Sequence, residues 1–262
     1  PVGPSLLFGT GGGLAGSGSQ VSADFVQALY NGTYGTRFEV DCTGSVAELT
    51  RKRLFQYDAV VLFSSPHCCE SCRDCTYVTG TPIYNASFAP AIAEYVAAGG
   101  GIFIWPASVN VGAQPLFDLT EQFKVKLPLE SLLESNLSNT ATLDHMSSAL
   151  AWTGAIDTEA VPSLTEGVSS IWFPTGTLNN GAYTTPLFLP PDSGWQPIIR
   201  GSPTTITKAI PETKGAWAPV PSDQNFTTSP VSGPPIFAVR NGAAGRLALL
   251  SQFHQFTMGS GW

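Results

Sequence analysis

The residues best equipped for chemistry are the cysteines. Of Cys42, Cys68, Cys69, Cys72 and Cys75, the last four crowd into Pro66-His-Cys-Cys-Glu-Ser-Cys-Arg-Asp-Cys. Cys69, Cys72 and Cys75 have the C-x2-C-x2-C spacing of an iron–sulfur site, and His67 could complete the ligand set of a zinc site. The competing chemistry is oxidation, in which disulfides pin a long loop and reach back to Cys42 at the end of the preceding strand. Parallel strands end on the same side of a sheet, so Cys42 and the 68–75 loop should open at one edge. An oxidising compartment favours disulfides and no metal. The odd count then leaves one thiol free or bridging to another chain.

A second constellation lies near the start. Gly11, Gly13 and Gly16 fit G-x-G-x-x-G after the apolar run Ser5-Leu-Leu-Phe, with Asp41 at the end of the next strand, so a dinucleotide site has to be weighed. Against it, the helical repeat of Val21, Phe25, Val26, Leu29 and Tyr30 begins too late for its N-terminus to meet a pyrophosphate. A glycine run this dense also matches the spacing by chance, and nicotinamide cofactors are scarce outside cells. The expectation is no cofactor.

The compartment argument rests on four N-x-[ST] sequons, at Asn31, Asn85, Asn136 and Asn225. They fall at a helix end, a helix start and two polar loops, the surface positions a glycan requires. Together with the cysteines they point to secretion and N-linked glycans. Composition agrees: only 12% of residues are charged, while 27 are Gly and 21 Pro, so loops are long and sugars would offset the sparse surface charge. A net charge of -7 argues against nucleic acid and anionic membrane surfaces, and no stretch reaches the roughly 18 apolar residues of a membrane span. The chain starts at Pro1 with neither Met nor a charged leader, as expected if a signal peptide has been removed or lies outside it.

Positioning these residues falls to the stretch from Tyr57 to Trp105. Tyr57-Asp-Ala-Val-Val-Leu-Phe-Ser and Gly101-Ile-Phe-Ile-Trp-Pro are apolar without alternation, the pattern of strands buried on both faces. Between them Phe88, Ile92, Tyr95 and Val96 share one helical face over 85–98, closed by Gly99-Gly-Gly, giving a right-handed βαβ unit. Further helices are expected over Val46–Gln56 and Pro115–Phe123. The segments 127–133 and 145–152 are ambiguous between helix and strand. Strands are expected over 168–174, 195–200 and 235–240, with the Pro, Thr and Ser of 201–234 as a surface excursion and Arg246-Leu-Ala-Leu-Leu-Ser closing a hairpin.

This order of elements, with Glu94-Tyr-Val-Ala-Ala-Gly-Gly-Gly-Ile-Phe-Ile, Leu164-Thr-Glu-Gly-Val-Ser-Ser-Ile-Trp-Phe-Pro and the hairpin over 235–256, resembles class I glutamine-amidotransferase-like domains, the flavodoxin-like superfamily that includes ThuA-like proteins. The resemblance implies one α/β domain over 1–262, a flavodoxin-like parallel sheet flanked by helices with a late antiparallel hairpin and long loops. Residues 1–123 would form its βαβ core and 124–262 a loop-rich remainder completing the sheet. Catalytic members carry a Cys in a strand-to-helix turn, backed by a His and a carboxylate. Here the turn is Pro106-Ala-Ser-Val-Asn, whose only nucleophile, Ser108, lacks flanking glycines. His254 follows the last strand, and a lone His beside aromatics is more often structural, as holds for His67 and His145.

The expected function is therefore a non-catalytic secreted glycoprotein domain, structural or adhesive in a wall, surface layer or filament. The alternative is a secreted hydrolase or carbohydrate-active enzyme using Ser108 or His254 with acids from the loops. Family members usually lay a final helix against the sheet, and Phe256-Thr-Met-Gly-Ser-Gly-Trp only approaches one. The face near Leu247, Leu249 and Phe253 should thus lack cover and meet other copies or the rest of a larger extracellular chain.

Overall fold

The computed structural model describes residues 4–10, 23–33, 35–43, 49–63, 88–105, 122–125, 130–142, 149–157, 159, 161–175, 184, 186–209, 233–242 and 244–250. Strands β1 (Ser5–Thr10), β2 (Glu39–Thr43), β3 (Ala59–Phe63) and β4 (Gly101–Trp105) pair in parallel in the order β2-β1-β3-β4. The apolar runs of β3 and β4 do not alternate because both faces are covered. Val60, Leu62, Ile102 and Ile104 pack on one face with α2 (Arg51–Leu54) and α3 (Phe88–Ala97). Val61 packs on the other with Leu29 of α1 (Ala23–Asn31).

Helix α3 turns Phe88, Ile92 and Tyr95 inward, as their spacing predicts. It closes at Gly99, whose φ of +106° suits a residue without a Cβ. The Tyr95 hydroxyl donates to the Tyr57 carbonyl at 2.9 Å, tying the helix to the chain entering β3. Burial, then the charge of Asp58, pushes that phenol up to about 12.

The rest of the sheet is antiparallel, apart from one strand. β12 (Arg246–Leu250) inserts beside β4 in parallel and pairs antiparallel with β11 (Pro235–Asn241). Beyond β11 come β9 (Gln196–Gly201) and β7 (Ala149–Ile156), and both β6 (Thr140–Thr142) and β8 (Trp172–Thr175) pair with β7. The order is β2-β1-β3-β4-β12-β11-β9-β7-β6, with β8 off the path. β5 (Glu130–Glu134) and β10 (Thr205–Ala209) form a separate antiparallel pair. This is the expected α/β, flavodoxin-like architecture, with its late hairpin supplying the fifth parallel strand. No described helix is long and apolar enough to cross a membrane.

Three expectations are corrected. The helix over 46–56 reduces to Arg51–Leu54, because Thr50 is its N-cap: the Thr50 side chain accepts from the Arg53 amide, and Leu49 lies outside the helix. The excursion over 201–234 contains β10, whose Thr205-Ile-Thr pairs with Leu132-Leu-Glu of β5. Two β-branched threonines suit an extended strand as well as a loop. Leu247 and Leu249 are 4% and 0% exposed, so that face is covered. They lie on the α2/α3 side, where Gly245 brings β12 so close to α3 that a Cβ would come within 2.1 Å of the Val96 carbonyl. Phe253 lies outside the described residues.

Candidate functional site

Because β1, β2, β3, β4 and β12 run the same way, Thr10, Thr43, Phe63, Trp105 and Leu250 all arrive at one edge. Open α/β sheets take ligands at that carboxyl edge. Most sequence candidates for chemistry follow one of these ends: Gly11, Gly13 and Gly16 after β1, Cys68, Cys69, Cys72 and Cys75 after β3, Ser108 after β4 and His254 after β12. These residues, like His67 and His145, lie outside the described residues. Cys42 lies within β2 opposite Phe8. β4 and β12 are neighbours with Ile104 opposite Leu249, so the chain departs toward Ser108 and His254 from adjacent strands.

Asp41 is placed differently from the sequence expectation. It stands inside β2 opposite Leu7, not at the strand end, and its carboxylate accepts from the Tyr57 hydroxyl. Burial, together with the hydrogen bond and charge of Asp41, holds that phenol above its ordinary value. A carboxylate so engaged, short of the strand end, is not offered to a ribose at the carboxyl edge. The dinucleotide reading loses its acidic partner.

Two of the four sequons can be described, and both are exposed. Asn31 ends α1, with its Oδ1 accepting from Gln27 Nε2 at 2.9 Å. Asn136 caps a short 3-10 turn, Leu137–Asn139. Its Oδ1 accepts from the Ser138 amide at 3.1 Å and from Ser138 Oγ at 2.7 Å, so the sequon's asparagine and hydroxyl are already joined. Leu137 between them is 81% exposed. Asn85 and Asn225 lie outside the described residues.

Beneath Asn136 sits a group that sequence reasoning missed. Glu134, 3% exposed, accepts at Oε1 from Thr204 Oγ1 (2.5 Å) and the Asn136 amide (2.8 Å). At Oε2 it accepts from Ser202 Oγ (2.5 Å), Thr205 Oγ1 (3.1 Å) and Asn139 Nδ2 (3.1 Å). Burial pushes this carboxyl up, but the hydrogen bonds from Ser202, Thr204, Asn136 and Asn139 outweigh it and hold the pKa below the ordinary value. Ionised and saturated with donors, Glu134 is a staple between the end of β5, the β9–β10 turn and the sequon turn. It is a poor general base, since those donors stabilise the charged form it would have to give up. The only sequence signal was a polar Ser202-Pro-Thr-Thr turn, which any loop could carry.

No protein-family model matches this chain, and no curated protein does. Among solved structures, the mmIFT52 N-terminal domain is similar with a TM-score of 0.56 at 13% identity, over 97% of this chain and 88% of that one. A ThuA-like protein of Bacteroides uniformis has a TM-score of 0.48 at 12% identity, over 98% and 85%. A cytoplasmic protein of Salmonella typhimurium has 0.48 at 11%, over 95% and 87%. At these identities the likeness is one of fold.

Proposed function

We propose that this chain is a non-catalytic, secreted glycoprotein domain with a structural or adhesive role in an extracellular assembly, built on a class I glutamine-amidotransferase-like, ThuA-like frame. The observation that carries the reading is the Asn136 turn. An exposed sequon is held by a buried carboxylate through the Asn136 amide and Asn139 Nδ2, so the acceptor asparagine is presented at the surface on a fixed turn. A glycan there costs no core packing and adds the solvation that a surface poor in charge lacks. The partners would be further copies or the rest of a larger extracellular chain, with disulfides among Cys42, Cys68, Cys69, Cys72 and Cys75 bracing the carboxyl edge.

The test is intact mass of native material before and after enzymatic removal of N-glycans, then after reduction and alkylation. The expected result is a glycan on Asn136 and at least one disulfide. Unmodified asparagine at Asn31, Asn85, Asn136 and Asn225 alike would sink the reading.

A second reading is favoured by one observation, the adjacency of β4 and β12. A secreted hydrolase or carbohydrate-active enzyme could draw on Ser108 or His254, which follow these two strands in sequence. Turnover on a panel of glycoside, ester and amide substrates, lost in Ser108→Ala or His254→Ala, would establish it at the expense of the first.

A further inference from the structure

We propose that Arg200 anchors a binding site for a small monoanionic carboxylate at the carboxyl edge of the sheet. Arg200 pairs with Pro235 of β11, and two residues on, Phe237 pairs with Leu250, the last residue of β12. Arg200 therefore stands level with the chain as it leaves β12, on the ligand-binding side of the sheet and two strands across. The side chain reaches further the same way, since Nη1 donates to the carbonyl of Gly233, which precedes β11.

Among the described residues that hydrogen bond, at 3.3 Å, is the only one the half-buried guanidinium makes, and no salt bridge reaches it. Burial lowers its pKa, and no carboxylate among the described residues pulls the other way. A partly desolvated cation without an anion is costly, and an arginine in that position has most of its five donors unused. Of the other described arginines, Arg51 holds Glu94 and Arg37 lies over Tyr30, while Arg240 likewise donates to a backbone carbonyl, that of Phe123, but at the opposite edge.

The unused donors form a planar fork, the shape that takes a carboxylate through two parallel hydrogen bonds. One cation matches one negative charge, and a net charge of -7 disfavours polyanions and dianions. This site does not depend on the glycoprotein reading and would serve an enzyme or a binding domain equally.

The test is a titration of the full chain with acetate, glucuronate, glucose and inorganic phosphate, following the Arg200 Nε–H and the Gly201 and Gly233 amides by NMR. Saturable shifts with acetate and glucuronate, and none with glucose, are expected. Arg200→Gln should weaken glucuronate binding by about tenfold or more, the loss of a charge-assisted pair. Arg200→Lys keeps charge and stem but not the fork, and should weaken it as well. Equal response to glucose, tighter binding of phosphate than of glucuronate, or wild-type affinity in either variant overturns the proposal.

Discussion

Between β1 and β4 the chain is held by apolar side chains closing on both faces of a parallel sheet, with Leu62 and Ile104 fully buried. Between β5 and β10 the best-connected buried side chain is a carboxylate with five donors around it. Apolar packing is non-directional, so the first region is specified by volume and pattern. The second is specified by geometry, because a buried charge is tolerated only while its donors stay in place. Damage in the first should therefore scale with the volume removed, and in the second with the number of partners left without a mate.

The largest expected effect is in the parallel region. Leu62→Ala removes a fully buried side chain facing α2 and α3, and should cost about 2–5 kcal/mol of unfolding free energy by denaturant titration. A cost under about 1 kcal/mol would mean that the site collapses freely and that the parallel half is not close-packed.

Next comes Glu134→Ala, which removes the acceptor shared by the hydroxyls of Ser202, Thr204 and Thr205, leaving them only one another, and should cost about 2–3 kcal/mol. The sign of its pH dependence follows from the depressed pKa. In the unfolded chain Glu134 takes up a proton at about the ordinary glutamate pKa of 4.5, and the folded state does so only below that. Its contribution is therefore fully present above the unfolded pKa and is lost as pH falls through the folded one. Glu134→Gln should flatten the wild-type loss of stability in that acid window. An unchanged slope would show that Glu134 is not held ionised by its donors.

The same contrast sets what could be read from the sequence. The runs at Ala59–Phe63 and Gly101–Trp105 and the spacing of Phe88, Ile92 and Tyr95 fix two strands and a helix through local pattern alone. The segments 127–133 and 145–152 were ambiguous because the strands that overlap them, β5 and β7, take their character from partners distant in sequence, Thr205–Ala209 for the first and β9 for the second. Glu134 was invisible for the same reason, since three of its donors lie about 70 residues away. Of the candidate site, the sequence places Gly11, Cys68 to Cys75, Ser108 and His254 beyond runs that form parallel strands. The place of Arg200 at that edge depends on a β9–β11 register that no local signal encodes. The face near Leu247 and Leu249 was misjudged because its cover was expected from a final helix after Phe256, whereas α2 and α3 already pack over it.

The smallest expected effect is at the one salt bridge among the described residues, and it separates connection from stability. Arg51 meets Glu94 through two hydrogen bonds, Nε to Oε2 at 2.8 Å and Nη2 to Oε1 at 2.7 Å, linking α2 to α3. The hydrogen bond and then the Coulomb attraction raise the pKa of Arg51, and the hydrogen bond is the largest influence lowering that of Glu94. By geometry this is as good a pair as Glu134 makes with any partner. Yet the side chains are 63% and 51% exposed, so water replaces whatever a substitution removes, and salt screens what remains. The helices also stay joined without it: Arg51 lies over the Phe55 ring, and Phe55 meets Tyr95 edge to face with centroids 5.7 Å apart. Glu94→Gln should leave the denaturation midpoint unchanged within error at moderate salt, whereas Phe55→Ala should lower it. A loss in Glu94→Gln comparable to that of Glu134→Ala would mean that charge pairing, not apolar contact, docks α2 on α3, and the division between the two halves of the molecule would fail.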